Sequence, residues 1–247
     1  MTGRLLFKLF FIFMTCFLLP FKSYLQTNSE NDLILKNLKT HTDNIYRLND
    51  LLVNGKLYRP LNANANGSPY FQNDKLWRKS KLFIKGTEFS DQNILYDIEN
   101  DELIANIINS DGNTKNIVLD QDFIDSLWIE DHFFINISPF TEEKINGIYE
   151  QVYNGRFKAL IKHHVTYKRV INYNSPNGYY DDPETSLFIL TENRLIKIPN
   201  KKSLLSYFES DKKEIGRFIR RNNINLKTAS IFEYFTLFKI CDDLSYE

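Results

Sequence analysis

Cysteine is almost missing from this chain of 247 residues, which holds only Cys16 and Cys241. That excludes a disulfide-stapled small fold and any metal site built on cysteine clusters. Net charge is missing as well, since 31 Lys and Arg balance 31 Asp and Glu. The sequence has no RNA-recognition or helix-turn-helix pattern, so no nucleic-acid partner is expected. It also lacks a G-x-S-x-G nucleophile elbow, an H-E-x-x-H zinc motif, a P-loop and a dinucleotide fingerprint, which removes the enzyme classes that those motifs carry. No apolar run reaches the roughly 20 residues that a membrane-spanning helix needs. The four histidines (His41, His132, His163 and His164) show no spacing for zinc or haem, and His163, on the apolar face of a strand, reads as a hydrogen-bonded core histidine. No cofactor is expected.

What is present is a dense hydrophobic complement, 43% of residues, with 15% aromatic. Disordered chains lack that density, and this length is enough to bury a proper core. The first residues read as an export leader over 1–25: Arg4 and Lys8 precede an apolar run at 9–19 that ends at Pro20. Two alternatives stand beside cleavage, lipidation at Cys16 and retention as an uncleaved anchor. With the leader removed, Cys241 is the single cysteine and reads as a small apolar residue on a helix. The expected compartment is therefore outside the cytoplasm: periplasm, outer envelope or medium.

Residues 26–66 read as an N-terminal segment and loop, with helical spacing at Ile45, Leu48 and Leu52 competing with an Asn54-Gly55 turn. From 67 to 198 the pattern is that of strands. Asn154-Gly155 is the dipeptide favoured by a two-residue turn with two positive-φ positions, which sets Val152 opposite Phe157 and Ile148 opposite Ile161. Ile148, Val152, Phe157, Ala159, Ile161, Val165 and Tyr167 then share a buried face, while Arg156, Lys158, Lys162, His164, Thr166 and Lys168 face water. A four-residue hairpin at 99–102 places Ile94, Tyr96 and Ile98 beside Leu103, Ala105 and Ile107, and a third hairpin turns at Glu192-Asn193. Strands are also expected at 116–119 and 132–137, with one helical turn capped by Asp120 between them. Residues 199–247 read as three helices: one capped by Asn200, one opened by an Asp211/Glu214 capping box, and one from about Ala229 to Cys241. Strands followed by helices make this α+β, an antiparallel meander of about seven to nine strands, curved or partly closed into a barrel.

The segments Gly67-Ser68-Pro69-Tyr70-Phe71, Trp77, Leu95-Tyr96-Asp97 with Asp101-x-Leu103, and Asp211-Lys212-Lys213-Glu214-Ile215 resemble uncharacterised exported proteins of Bacteroidota-type bacteria. That resemblance implies a cell-envelope or secreted location and carries no activity.

Four groups of residues are candidates for chemistry. Glu150 falls on the buried face, where an ionised carboxylate is costly unless paired, which makes it the nominee for a catalytic acid; a buried salt bridge or an exposed sheet edge explains it equally. The loop at 173–184 is long enough for a lid or binding edge, with Tyr179, Tyr180, Asp181 and Asp182 as its binding candidates. Asp97, Glu99 and Asp101 offer oxygens for Ca²⁺, or form a solvated turn. Residues 212–221 present Lys212, Lys213, Arg217, Arg220 and Arg221, a surface for anionic lipid or a solvated helix face. Charge is also split along the chain: residues 86–150 hold fifteen Asp and Glu against Lys115 and Lys144, and residues 151–239 hold sixteen Lys and Arg against eight acids. Complementary surfaces within one domain are the expectation. The functional expectation is a non-enzymatic envelope module with a binding or structural role, and the alternative is a secreted hydrolase of extracellular polymer using carboxylates.

Overall fold

The computed structural model describes residues 34, 35, 38, 52, 55–108, 112–141, 147–170 and 173–245. The expected leader, Cys16 and most of the N-terminal segment lie outside the described residues. The chain divides into two units at 47/48, and in the first, residues 34, 35 and 38 are helical.

The second unit is a sheet followed by three helices. Its strands are β1 (Gly55–Leu57), β2 (Arg78–Ile84), β3 (Thr87–Asp97), β4 (Glu102–Ile108), β5 (Thr114–Leu119), β6 (Ile124–Ile129), β7 (His132–Asn136), β8 (Ile148–Asn154), β9 (Lys158–His164), β12 (Glu184–Thr191) and β13 (Arg194–Ile198). Two short strands, β10 (Tyr167–Lys168) and β11 (Tyr179–Tyr180), form a separate pair. All ladders are antiparallel, and the order in the large sheet is β1-β5-β4-β3-β2-β6-β7-β8-β9-β12-β13. The 11 strands of the main sheet exceed the expected number. Part of the excess is β6, whose Ile124 to Leu127 had read as a helical turn; the turn is only the 3-10 segment Gln121–Phe123, capped by Asp120. β1 lies in the stretch read as N-terminal loop and extends the sheet along β5.

The sheet has to curl. β5 and β6 stand four strand spacings apart in the ladder, about 19 Å if flat. Residues 119 to 124 span at most about 18 Å fully stretched, and they contain the 3-10 turn. Only a coiled β2–β5 half brings those ends together, and register shifts in β2 against both neighbours supply local bending. The sheet remains open, with β1 and β13 at its edges.

Inside the coiled half lies one apolar cluster, including Leu82, Ile94, Tyr96, Leu103, Leu127, Phe134 and Ile148. On the same face further along, Val152, Phe157, Ala159, Ile161 and Ile189 pack beneath the helices α1 (Lys201–Tyr207), α2 (Lys212–Arg221) and α3 (Ile231–Leu244). α3 lies on β8, α1 on β13, and α2 packs against both helices.

The hairpin at 148–164 keeps the expected inner face but changes its turn. Glu150 pairs with Ile161 rather than Ala159, Asn154 with Lys158, and the register shifts between Gln151 and Tyr153. Three residues, Gly155 to Phe157, close the loop, and the bulge at Val152 restores the face. The opposite face is not simply in water. Leu160 is fully buried there with Ile135, Ile137, Tyr149 and Leu190. A two-residue turn with two positive φ angles does occur, at Glu192 (45°) and Asn193 (63°), between Thr191 and Arg194.

The helix starts also differ in part. Asn200 caps α1 by accepting from Ser203 N at 3.0 Å. Asp211 makes no side-chain cap bond at α2. The reciprocal capping box sits at α3, between Ser230 and Glu233.

Candidate functional site

Three neighbouring strands build a polar group into the inner face. Phe134, Glu150, Ile161 and Leu187 occupy one row across β7, β8, β9 and β12. His132 and His163 lie two residues from Phe134 and Ile161, so they share that face and approach Glu150 from opposite diagonals. His132 Nδ1 lies 2.6 Å from Glu150 Oε1, and His163 Nε2 lies 2.6 Å from Oε2. An ionised carboxylate only accepts, so both imidazoles donate, and the bonds select the Nδ1–H form of His132 and the Nε2–H form of His163.

The Glu150 side chain is 3% exposed. Burial alone would push its carboxyl up, but the hydrogen bonds and charge of the two histidines outweigh it and hold the group below the usual carboxylate range. The bond to Glu150 holds His132 above the usual imidazole range, against the opposing effect of burial. Phe71 covers the group edge-on, with its ring centroid 4.9 Å from that of His132 and 4.8 Å from that of His163. Phe71 and Tyr70 part company here: Phe71 enters the inner cluster, while Tyr70 packs on the outer face with Leu95, Ile104 and Val118 beside Trp77.

Glu150 is therefore on the face expected for it, and its partners are histidines rather than Lys or Arg. His163 was legible as a hydrogen-bonded core histidine. His132 was not, because it lies 18 residues from Glu150 in sequence. The signal that finds it is that consecutive strands of a meander are neighbours. Among the described residues no group of three or more His, Cys, Asp and Glu is arranged to hold a metal ion.

The three carboxylates considered for Ca²⁺ point to different partners. Asp97 is buried and accepts from Glu99 N and Asn100 N at 3.0 Å each, and from Tyr58 Oη at 3.2 Å. Glu99 accepts from Tyr180 Oη at 3.1 Å. Asp101 accepts from Tyr96 Oη at 2.6 Å and pairs with Lys162 at 2.5 Å. These bonds tie the 98–101 turn to the strands around it and to β11.

Of the loop candidates, Tyr180 is buried against Tyr167, Tyr179 is half-buried, Asp181 pairs with Lys168 at 3.3 Å, and Asp182 is exposed. The loop is pinned down by Asn66, whose Nδ2 donates to Asn174 O at 2.8 Å, and by Tyr167 Oη, which donates to Asn177 O at 2.8 Å. A cleft of about 140 Å³ lies beside it, lined by Tyr58, Tyr70, Asp97, Glu99 and Tyr180. A wider hollow of about 600 Å³ opens along Lys56, Asp101, Glu102, Asp120 and Gln121. Glu150 lines neither.

Lys212, Lys213, Arg217, Arg220 and Arg221 are all exposed on α2. The acidic stretch finds its cations mostly before residue 86, in the pairs Lys56–Glu102, Arg78–Glu130 and Lys81–Glu88. From the basic stretch, Lys162 and His163 reach it, at Asp101 and Glu150. The two stretches thus meet at β9, and the cations of α2 are exposed. No family model, curated protein or solved structure matches this chain.

Proposed function

We propose that this chain is a non-enzymatic module of the bacterial cell envelope, exported, with a binding or structural role. The observation that carries the reading is the state of Glu150. Both of its oxygens accept from histidines, its side chain is 3% exposed, and Phe71 closes over the group. A glycosidase acid has to reach a glycosidic oxygen, with a second carboxylate several ångströms away across an open cleft. Here the carboxylate is spent inside the sheet as a polar crosslink between three strands. The apolar run at 9–19 behind Arg4 and Lys8 supports the envelope location.

The test has two arms. Fractionation of the native protein with mass spectrometry of its N-terminus is expected to place it outside the cytoplasm without residues 1–25; an intact N-terminus in the cytosolic fraction would refute the export half. Incubation of the purified protein and its Glu150→Gln variant with cell-wall and extracellular polysaccharides is expected to yield no new reducing ends from either. Product from the wild type that disappears in a folded Glu150→Gln variant would replace this reading with the hydrolase alternative.

A further inference from the structure

The helical layer carries two exposed stripes that the core does not use. α2 buries Ile215 and Ile219 and turns Lys213, Arg217 and Arg220 outward, at the i, i+4, i+7 spacing of one face, with Lys212 and Arg221 exposed beside them. Among the described residues, Arg217 is the one of these five with an acidic partner, Glu214 at 2.5 Å. α3 buries Tyr234, Leu237, Phe238 and Cys241 and leaves Phe232 76% and Phe235 46% exposed, with Lys239 exposed on the same side. Both helices bury their opposite faces in the same apolar cluster, so both stripes point away from it.

We propose that this layer docks on the surface of an anionic phospholipid bilayer, with the α2 cations at the headgroups and Phe232 and Phe235 entering the interface. Charge complementarity argues for the occupant: a row of exposed Lys and Arg answers a negatively charged leaflet. The phenylalanines argue for a surface with an apolar layer beneath its charges, because a soluble polyanion offers them nothing to enter. Clustered cations beside exposed aromatic rings are the composition of interfacial helices. No helix among the described residues is long and apolar enough to cross a membrane; the docking proposed is that of exposed helix faces whose opposite faces are buried on the sheet.

Co-sedimentation of the full chain with vesicles tests this. Binding is expected to phosphatidylserine–phosphatidylcholine vesicles and not to pure phosphatidylcholine vesicles, and to weaken as salt rises. Lys213→Ala/Arg217→Ala/Arg220→Ala is expected to lower the partition coefficient about a hundredfold, or fivefold per cation. Phe232→Ser is expected to lower it about tenfold while the salt dependence stays. Phe235 also rests on Tyr153, with ring centroids 5.9 Å apart, so Phe232, free of that contact, is the cleaner position. Equal binding to both vesicle types, binding indifferent to Phe232→Ser, or lipid-free dimerisation abolished by Phe232→Ser would each overturn the proposal, the last by assigning the stripe to a second copy of the chain.

Discussion

Glu150 with His132 and His163 is the place where single residues decide most in this sheet, because a carboxylate this deep persists only while both of its oxygens are answered. The pH dependence follows from the directions of the shifts. Glu150 titrates lower in the folded state than unfolded, so its contribution is present above the unfolded carboxylate value of about 4.3 and is lost as pH falls through the lowered one. His132 titrates higher in the folded state, so its contribution is complete below the unfolded imidazole value of about 6.5 and is lost as pH rises through the raised one. The group therefore stabilises the fold most between about pH 4.3 and 6.5. Glu150→Ala, which leaves two inward histidines unanswered, is expected to cost about 3–5 kcal/mol. Glu150→Gln, which keeps an acceptor and a donor in place, should cost about 1–3 kcal/mol and flatten both limbs of the pH profile. Urea unfolding of the three proteins between pH 2 and 9 measures this, and parallel profiles for wild type and Glu150→Gln would contradict it.

At the scale of elements, turns and caps show where short-range reading succeeds. Inward faces followed from alternation alone, and Ile94, Tyr96, Ile98, Leu103 and Ala105 all lie in one cluster. The turn at Asn154-Gly155 was misread because a tertiary contact outweighs the dipeptide's preference. Asp242 on α3 accepts from Tyr153 Oη at 2.6 Å, from Arg156 Nε at 2.5 Å and from Arg156 N at 3.2 Å, and so holds the loop in a wider form. Gly155 permits that approach, since a Cβ there would collide with Asp242 Oδ2 and Tyr153 Oη. The caps teach the same lesson: Asp211 and Ser230 both precede a Glu by three residues, yet only Ser230 forms the box. Gly155→Ala and Asp242→Asn are each expected to destabilise the fold by about 1–3 kcal/mol, the first by collision and the second by weakening charge-assisted bonds. Their effects should fall short of additivity in the double variant, because both act on the one clamp between loop and helix. Thermal unfolding of the two single variants and the double checks this, and full additivity would separate Gly155 from the clamp.

For the whole molecule, the long-range features were the ones hidden in the sequence: the coil that joins β5 to β6, and the edge position of β1. Both depend on which distant strands pair, and alternation within a strand carries no information about that choice. The same assembly settles the fate of the one described cysteine. Cys241 is fully buried in the cluster shared by α3 and the sheet. Burial, reinforced by the nearby Asp211 charge, pushes its thiol up to about 12. Since the thiolate is the nucleophile, native protein should resist alkylation at pH 8, and labelling should proceed only through opening of the helical layer. Iodoacetamide labelling followed by mass spectrometry in increasing urea is expected to track the main unfolding transition. Once unfolded, a chain processed after residue 25 carries one modifiable thiol and an unprocessed one carries two, Cys16 and Cys241. Labelling of Cys241 well below that transition would mean that α3 opens separately from the sheet, and the clamp at Asp242 would then be the first contact to break.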